Sequence, residues 1–498
     1  MELPFAKTVC RHWRQKLYTL VSQEETQELK LPESMPDVGR IIASWGQTVL
    51  RGKDWRTGGA GISGGVLVWV LYAPEGGGTL QRLESWIPFQ TRVDFPEDGD
   101  SGVLRVECVL RNVDARNLSG RKIVLRAGIG LLVQALEPGE IELPDAADIP
   151  ADVEQLRRSY PVELIRETGE KNFLLEEELD LPSGMAQPEQ LIYYRLDPEL
   201  LDRKVLGSKA VFRGTGHLHV LLMDREEKLR GCDFDVPFAQ YTDLEGEYEE
   251  SADLSVLCSL TSLEAELTEE GSIRLKCAMT GQYVIEDVTM IELLEDAYSP
   301  CRSVEVQREE VAVPAWVDSR QELFSLSQSF PAEDTAVVDQ VFYPDLPVIK
   351  RQPDGASMEY GGTFQTVTES GDGSYAGKAL HDTGSTSWKT ACDTVPFSIP
   401  RGQASCRREG RDWRVETQVV LDLRSLSEKP MEAVSGLRLG EAGSPDPDRP
   451  SVIIRRMGDR ESLWELAKDC GSTVGAIRRM NALEGEPEQE QLLLIPVI

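Results

Sequence analysis

The chain has 498 residues, of which 40% are hydrophobic, and its formal net charge at pH 7 is -32. This length predicts about three to four domains, each large enough to bury a core. The acidic excess disfavours a surface for nucleic acid or anionic lipid, because phosphate binding depends on Lys and Arg. A protein partner with a basic face fits the charge better.

The first 21 residues are interrupted by Arg11, Arg14 and Lys16 and contain no apolar run of signal-peptide length. The most apolar run, 66–73, is about one strand long and too short for a membrane helix. The nine cysteines form no CxxC pair, which is typical of thiols in a reducing compartment. We therefore expect a cytoplasmic protein without a signal peptide, transmembrane segment, disulfide framework, metal site or cofactor.

Short β segments separated by turns fill the chain from residue 25 onwards, whereas residues 1–24 fit either a strand or a helix. In the first 143 residues, β-rich segments at 65–72 and 80–89 flank a glycine turn, which predicts a hairpin. Segments at 103–109 and 122–127 predict a second hairpin. The same order recurs at 217–279 and, with more divergence, at 362–421. This pattern predicts a mainly β protein of antiparallel sandwich or barrel-like domains.

Two proline motifs recur at nearly constant spacing and predict that one domain is present three times. The first motif places an apolar residue before Pro32, Pro182 and Pro331, at steps of 150 and 149. The second motif places Pro-Phe at Pro88-Phe89, Pro237-Phe238 and Pro396-Phe397, at steps of 149 and 159. The simplest interpretation of the Pro-Phe motif is that the proline ends a ladder and the phenylalanine enters each core.

The C-terminal segment differs from the repeats in both charge and pattern. Residues 451–498 carry six basic and eight acidic residues and are therefore nearly neutral. A strand at 452–455 precedes a capping box at Ser462 and Glu465, and Gly471 supplies a helix stop. A second helix starts at Thr473, and 492–496 reads as a strand. The segment is predicted to be a small βααβ module.

The predicted organisation is three β repeats, a linker and the module. The boundaries are 1–143, 144–295, 296–429, 430–450 and 451–498.

The C-terminal module resembles a LysM domain through residues spread over its length: Gly458-Asp459, Leu463-Trp464, Ala467-Lys468, Thr473-Val474, Ile477, Asn481, Leu483 and 493–496. LysM domains bind N-acetylglucosamine glycans in a groove between two loops. The resemblance places that groove at Gly458, Asp459, Arg460, Ser462, Leu483 and Glu484. Two extra residues in the first loop and acidic residues after Gly485 depart from the family pattern.

The repeats resemble the SPOCS domain of spore-forming Clostridia and Bacilli, most clearly at 31–42, 66–72 and 87–89. Tandem SPOCS domains followed by a terminal LysM domain are the layout of SipL-like spore coat morphogenesis proteins. The resemblance implies a scaffold at the forespore surface in the mother cell, where the basement-layer ATPase of the coat is its partner.

Three weaker motifs resemble functional sites but lack part of the pattern that each site requires. The GxGxxG match at 59–64 precedes a strand and opens no helix, so a bound phosphate would lack a helix N-terminus, and we expect a flexible turn there instead. The GxSxG match at 61–65 lacks the strand and helix of a hydrolase elbow. His217 and His219 share a strand face, as two metal ligands can, but no third ligand pattern is nearby. We interpret the two histidines as ordinary residues of a sheet.

These features predict a non-enzymatic scaffold in endospore coat or envelope assembly, held by multivalent contacts. The alternative is a peptidoglycan or GlcNAc-glycan-binding protein without catalysis. A hydrolase is a remote third possibility, because no catalytic set of residues emerges from the sequence.

Overall fold

The chain is mainly β in the computed structural model, which describes residues 1–97, 101–146, 148–390, 393–441, 443, 450–458, 461–485, 487 and 490–498. Within these ranges the chain forms strands β1 to β22 and two short helices, α1 and α2. The predicted β class is confirmed, and the undecided N-terminal region is a strand.

The first repeat builds two separate sheets. The long strand β2 pairs antiparallel with β7, β6 pairs with the other side of β7, and β3, β4 and β5 form a three-stranded sheet. The strands are β1 (Glu2–Leu3), β2 (Ala6–Lys30), β3 (Val38–Arg56), β4 (Gly59–Pro74), β5 (Gln81–Asp94), β6 (Val103–Ser119) and β7 (Lys122–Asp145).

The second repeat has the same order of pairing, with β8 on β12, β11 on β12 and β9 on β10. The strands are β8 (Glu154–Leu179), β9 (Pro188–Asp224), β10 (Leu229–Tyr248), β11 (Asp253–Leu267) and β12 (Ile273–Tyr298). β9 folds back at Gly207, whose φ is 59°. A Cβ added at Gly214 would lie 2.1 Å from the Glu199 carbonyl oxygen, so the two halves of β9 are neighbours. β9 therefore takes the place of the β3–β4 hairpin.

The third repeat keeps the order with more breaks. The long strand β13 pairs with β20, and β16 pairs with β14, β15 and β17. The strands are β13 (Val304–Pro331), β14 (Thr335–Pro344), β15 (Val348–Gln352), β16 (Gly355–Ser370), β17 (Tyr375–Trp388), β18 (Asp393–Pro396), β19 (Ser405–Glu409) and β20 (Asp412–Leu439). Both β18 and β19 pair with β20.

Matching β-bulges support the equivalence of the repeats. The first long strand of each repeat carries one extra residue, which is Lys16 in β2, Arg166 in β8 and the residue between Trp316 and Asp318 in β13. A second bulge falls at Arg111 in β6 and Thr261 in β11. Bulges are specific local features, so their recurrence at corresponding positions supports the predicted repeat, whose threefold division stays a prediction.

The two proline motifs occupy equivalent positions in the first two repeats but not in the third. Pro32 and Pro182 follow β2 and β8, and each carbonyl accepts a backbone hydrogen bond from a methionine three residues later. Pro331 is the last residue of β13. Pro88 and Pro237 are exposed in the middle of β5 and β10, so the prediction that they end a ladder is wrong, whereas Phe89 and Phe238 after them are buried as predicted.

The third Pro-Phe copy corrects our prediction, because it lies in a different element. Pro396 ends β18, which pairs with β20, and the Phe397 amide outside the strand donates to the Asp422 carbonyl. The strand that corresponds to β5 and β10 is β17, which ends earlier, at Trp388. The longer step of 159 residues reflects this shift, since at Pro396 the chain has already left the sheet that β14 to β17 form.

The long strands extend past the rest of each repeat and form a three-ribbon stalk. Its ribbons are 6–15 with 136–145, 154–165 with 286–298, and 304–316 with 426–439. Apolar side chains from all three ribbons fill its centre: Ile141, Leu143, Val162, Leu164, Ile291, Leu293, Val311, Val313 and Ala433. Among the described residues, one backbone pairing, Trp13 with Ile165, joins β2 to β8. The short strand β1 also pairs with β20, so these two brief backbone pairings and side-chain packing hold the ribbons together.

The rest of the repeats, here called the body, contains one core that all three repeats enter and a second core formed by the third repeat alone. One apolar cluster includes Trp45 and Trp69 of the first repeat, Tyr193 and Phe212 of the second, and Tyr343 of the third. The predicted separate core is therefore wrong for the first two repeats, which share one, whereas the third repeat has a core of its own that includes Phe364 and Leu421. The exact domain boundaries stay a prediction.

The predicted linker 430–450 begins too early. Residues 430–439 are the last part of β20, where Val434, Leu437 and Leu439 are buried in the stalk. Glycine and charged residues suggested a tether, but pairing with β13 satisfies the backbone and directs alternate apolar side chains inward.

Candidate functional site

The C-terminal module consists of β21 (Val452–Arg456), α1 (Leu463–Cys470), α2 (Val474–Met480) and β22 (Leu492–Pro496), with β21 antiparallel to β22. The predicted capping box is present, because Ser462 Oγ accepts from the Glu465 amide while the Glu465 carboxylate accepts from the Ser462 amide. Gly471 ends α1 in the left-handed conformation, and Thr473 caps α2. Local sequence signals thus fix both helices.

The module docks on the stalk end of β12. The Trp464 ring packs edge-on against Tyr298 with centroids 4.7 Å apart, and the Tyr298 hydroxyl donates to the Ser472 carbonyl at 3.0 Å. Asp296 Oδ2 accepts from Trp464 Nε1 at 2.9 Å and from Lys468 Nζ at 2.7 Å. Trp464 and Lys468 are four residues apart and so lie on one face of α1. That face is the docking face.

Asp296 is the electrostatic centre of this contact. Its side chain is 13% exposed, and Arg308 also donates to Oδ1 at 3.0 Å. Burial raises the pKa of Asp296, but the hydrogen bonds from Lys468 and Trp464 outweigh that effect and hold its pKa below the usual value. The carboxylate is therefore ionised in neutral solution and attracts the module.

Replacing Asp296 by alanine is expected to release the module, because it removes two hydrogen bonds and an ion pair from the contact. Loss of about 1.5 kcal/mol would raise the undocked population about tenfold. Limited proteolysis of the segment between the stalk and the module should accelerate by a similar factor. Asp469→Ala, at an exposed position of the same helix, is the matched control. Equal cleavage rates for the two variants would contradict the docking role of Asp296.

The predicted groove residues lie on two loops of the module. Gly458 donates its amide to Glu461 at 3.0 Å, and Ser462 is the N-cap of α1. Leu483 packs against the module core, whereas Glu484 is exposed. Asp459 and Arg460 lie outside the described residues. No hydrogen bond or ion pair joins 461–462 to 483–485 in the described part of the chain, so a role for these loops in binding stays a prediction.

A second polar site, which sequence reasoning missed, lies where the three repeats meet. The fully buried Asp339 carboxylate accepts from Trp45 Nε1 at 2.9 Å and from the Tyr193 hydroxyl at 3.2 Å. His219 Nε2 lies 2.8 Å from Asp339 Oδ1, and its Nδ1 lies 2.6 Å from Asp233. Trp45 also stacks on Tyr193 with centroids 4.5 Å apart. One carboxylate thus binds side chains from the other two repeats.

The histidines weighed as metal ligands are ion-pair partners in the sheet. Burial lowers the pKa of His219, but the hydrogen bonds to Asp233 and Asp339 outweigh it and raise the pKa to about 9. His217 contacts Glu199 at 2.8 Å and Asp235 at 2.7 Å. Because a carboxylate occupies each ring nitrogen, neither imidazole offers a lone pair to a metal. Among the described residues, no group of three potential ligands is placed to hold one.

The glycine motifs fall within a strand. Residues 59–64 open β4, which pairs with β3 and β5 along its length. The backbone amides are therefore committed to the sheet ladder, and no helix begins there. The geometry matches neither a dinucleotide loop nor a nucleophile elbow, but the flexible turn predicted at 59–64 is wrong, because these residues are paired on both sides within β4.

Comparisons of the chain with family models, with curated proteins and with solved structures found no match. In the described ranges, neither helix is long and apolar enough to cross a membrane.

Proposed function

We propose that this chain is a non-enzymatic scaffold in assembly of the endospore coat or envelope, located in the mother cell at the forespore surface. The resemblance to SPOCS and LysM domains suggests the setting. The observation that supports a scaffold is the docked module, in which Trp464 and Lys468 hold a nearly neutral domain at the end of an acidic β body.

The proposed mechanism is multivalency. A body with a shared core keeps its surfaces at fixed positions, and the module adds another surface at the stalk end. Several weak contacts on one rigid chain raise the effective concentration of one another. The scaffold can therefore hold a layer of partner molecules although each contact is weak.

The proposed partner is a spore coat morphogenetic protein, namely the basement-layer ATPase, and its contact surface is expected to be basic. The residues outside 451–498 carry nearly all of the net charge of -32, which favours a basic face on the partner. Co-purification with tagged protein from sporulating cells identifies the partner. Raising the salt concentration should weaken the complex, because exposed charges are screened.

Deletion of 451–498 is expected to disperse a fluorescently tagged protein from the forespore surface while the body remains folded. Far-UV circular dichroism and thermal unfolding check that the body persists. Asp296→Ala is the companion variant, since it keeps the module but weakens its docking. Unchanged localisation of the truncated protein would contradict the proposed role of the module.

Binding of the full chain to insoluble peptidoglycan tests whether the module recognises glycan. The scaffold proposal expects no retention at moderate salt. Retention that disappears when Asp459 or Glu484 is replaced by alanine would instead favour a glycan-binding protein.

A further inference from the structure

A cavity of about 480 Å³ lies where the stalk joins the body, and strands of all three repeats line it. β2 and β7 of the first repeat, β8 of the second and β13 of the third contribute to the wall. Its volume falls in the range of small-molecule sites in proteins. The cavity is separate from the C-terminal module.

The wall combines an aromatic face with aliphatic side chains. The half-buried Trp13 lines the cavity together with Ile165 and Pro314, and Leu164 and Ile141 lie deeper. Trp13 and Ile165 are also the backbone pair that joins β2 to β8, which fixes this part of the wall. Such a surface accommodates an apolar stem, and an indole face attracts a cation.

The carboxylates of the cavity differ in whether they are paired. Glu137 accepts hydrogen bonds from Arg14 and from Lys16, the latter at 2.9 Å. Arg14 and Lys16 are the arginine and lysine residues that line the cavity. Glu163 has no hydrogen bond or ion pair with any residue that the structure describes. Burial raises the pKa of Glu163 and outweighs the attraction of the Arg424 charge, and a cation closer to the carboxylate, in the cavity, would oppose that shift. An unpaired carboxylate in a half-buried wall favours a positive ligand.

His12 adds an unsatisfied polar group to the same wall. The residue is 9% exposed, and its Nδ1 has no hydrogen-bond partner among the described residues. Burial lowers the pKa of His12 and outweighs a contact of the ring with the Cys10 backbone, so the imidazole is neutral and its Nδ1 can accept a hydrogen bond. A buried polar atom without a partner is costly, and a donor from a ligand would relieve that cost.

We propose that this cavity binds an organic cation on an apolar stem, with an ammonium or guanidinium group between Glu163 and His12 and the stem against Trp13. Lysine or arginine side chains of a basic peptide and free alkyl diamines share this chemistry. The net charge of the chain, -32, draws either ligand towards it. The proposal does not depend on the function of the module.

Isothermal titration of the full chain tests the proposal with 1,5-diaminopentane, with a lysine-rich peptide and with the same peptide acetylated on its lysines. We expect binding of the diamine, the unmodified peptide or both, and loss of peptide binding on acetylation. Binding of the diamine alone assigns a free amine as ligand, and binding of the peptide alone assigns a protein side chain. Binding of neither would overturn the proposal.

Glu163→Gln is expected to weaken binding about tenfold, because it removes the unpaired charge but keeps the shape of the side chain. Glu432→Gln, at an exposed stalk position outside the cavity, is the matched control and should leave binding unchanged. Trp13→Leu should weaken binding several-fold through loss of the indole face. Equal effects of Glu163→Gln and Glu432→Gln would show a nonspecific charge effect and overturn the site. Thermal unfolding checks that each variant is folded.

Discussion

Replacement of Asp339 by alanine is expected to lower the free energy of unfolding by about 3–5 kcal/mol, since it leaves two buried donors without an acceptor and weakens a buried ion pair. The change removes the acceptor of Trp45 and Tyr193 and one of the two carboxylates on His219. These contacts connect the three repeats, so their interfaces should loosen together. Urea denaturation followed by tryptophan fluorescence measures the change.

Asp233→Ala is the matched control, because Asp233 contacts the same imidazole from an exposed position. Its side chain is 83% exposed, so the expected cost is below about 1 kcal/mol. Asp339→Asn should fall between the two variants, as the amide oxygen can still accept from Trp45. If Asp339→Ala and Asp233→Ala had similar effects, the carboxylate would not stabilise the contact between repeats as we infer.

The second large effect is a loss of stability as the pH rises through the range of His219. The folded-state pKa is about 9, above the ordinary value of 6.5, so folding favours the protonated imidazole. The resulting stabilisation is complete below pH 6.5, decreases as the pH rises from 6.5 to 9, and is absent above pH 9. A shift of this size corresponds to about 3 kcal/mol. Urea midpoints measured across this range should decrease accordingly.

His219→Gln should flatten the pH dependence, because the variant has no imidazole to titrate. A smaller slope should remain, since hydrogen bonds to Glu199 and Asp235 raise the pKa of His217 in spite of burial. His381→Gln, which changes an imidazole that is 52% exposed, is the control and should keep the wild-type profile. A flat profile for the wild type would exclude a protonated His219 in the folded state.

The sequence predicted those features that depend on local signals. The capping box at Ser462 and the stop at Gly471 are set by residues a few positions apart, so both could be found by inspection. The order of hairpins in the first two repeats was also predictable from turn residues. The strands of the third repeat were harder to predict, because the stretch 371–384 is rich in Gly and Asp. Most of it is β17, where pairing with β16 compensates for weak strand propensity.

The contacts between repeats could not be predicted, because they join residues far apart in the chain. Trp45, Tyr193 and Asp339 carry no motif in common, and each looks like an ordinary strand residue. A polar residue such as Asp339 amid apolar strand positions was the available signal, but its partners depend on how the three sheets pack. Asp296 could not be predicted for the same reason, since the face of α1 that docks is defined by the position of the stalk.

The continuity of the long strands has a mechanical consequence. β8 and β12 are paired from the stalk end, where the module docks, to the far side of the body. A force applied at Tyr298 along these strands would load the hydrogen bonds of the ladder in shear, so that many would have to break at once. A tensile load on the docked module is thereby spread along a strand of roughly 80 Å instead of concentrating at one contact.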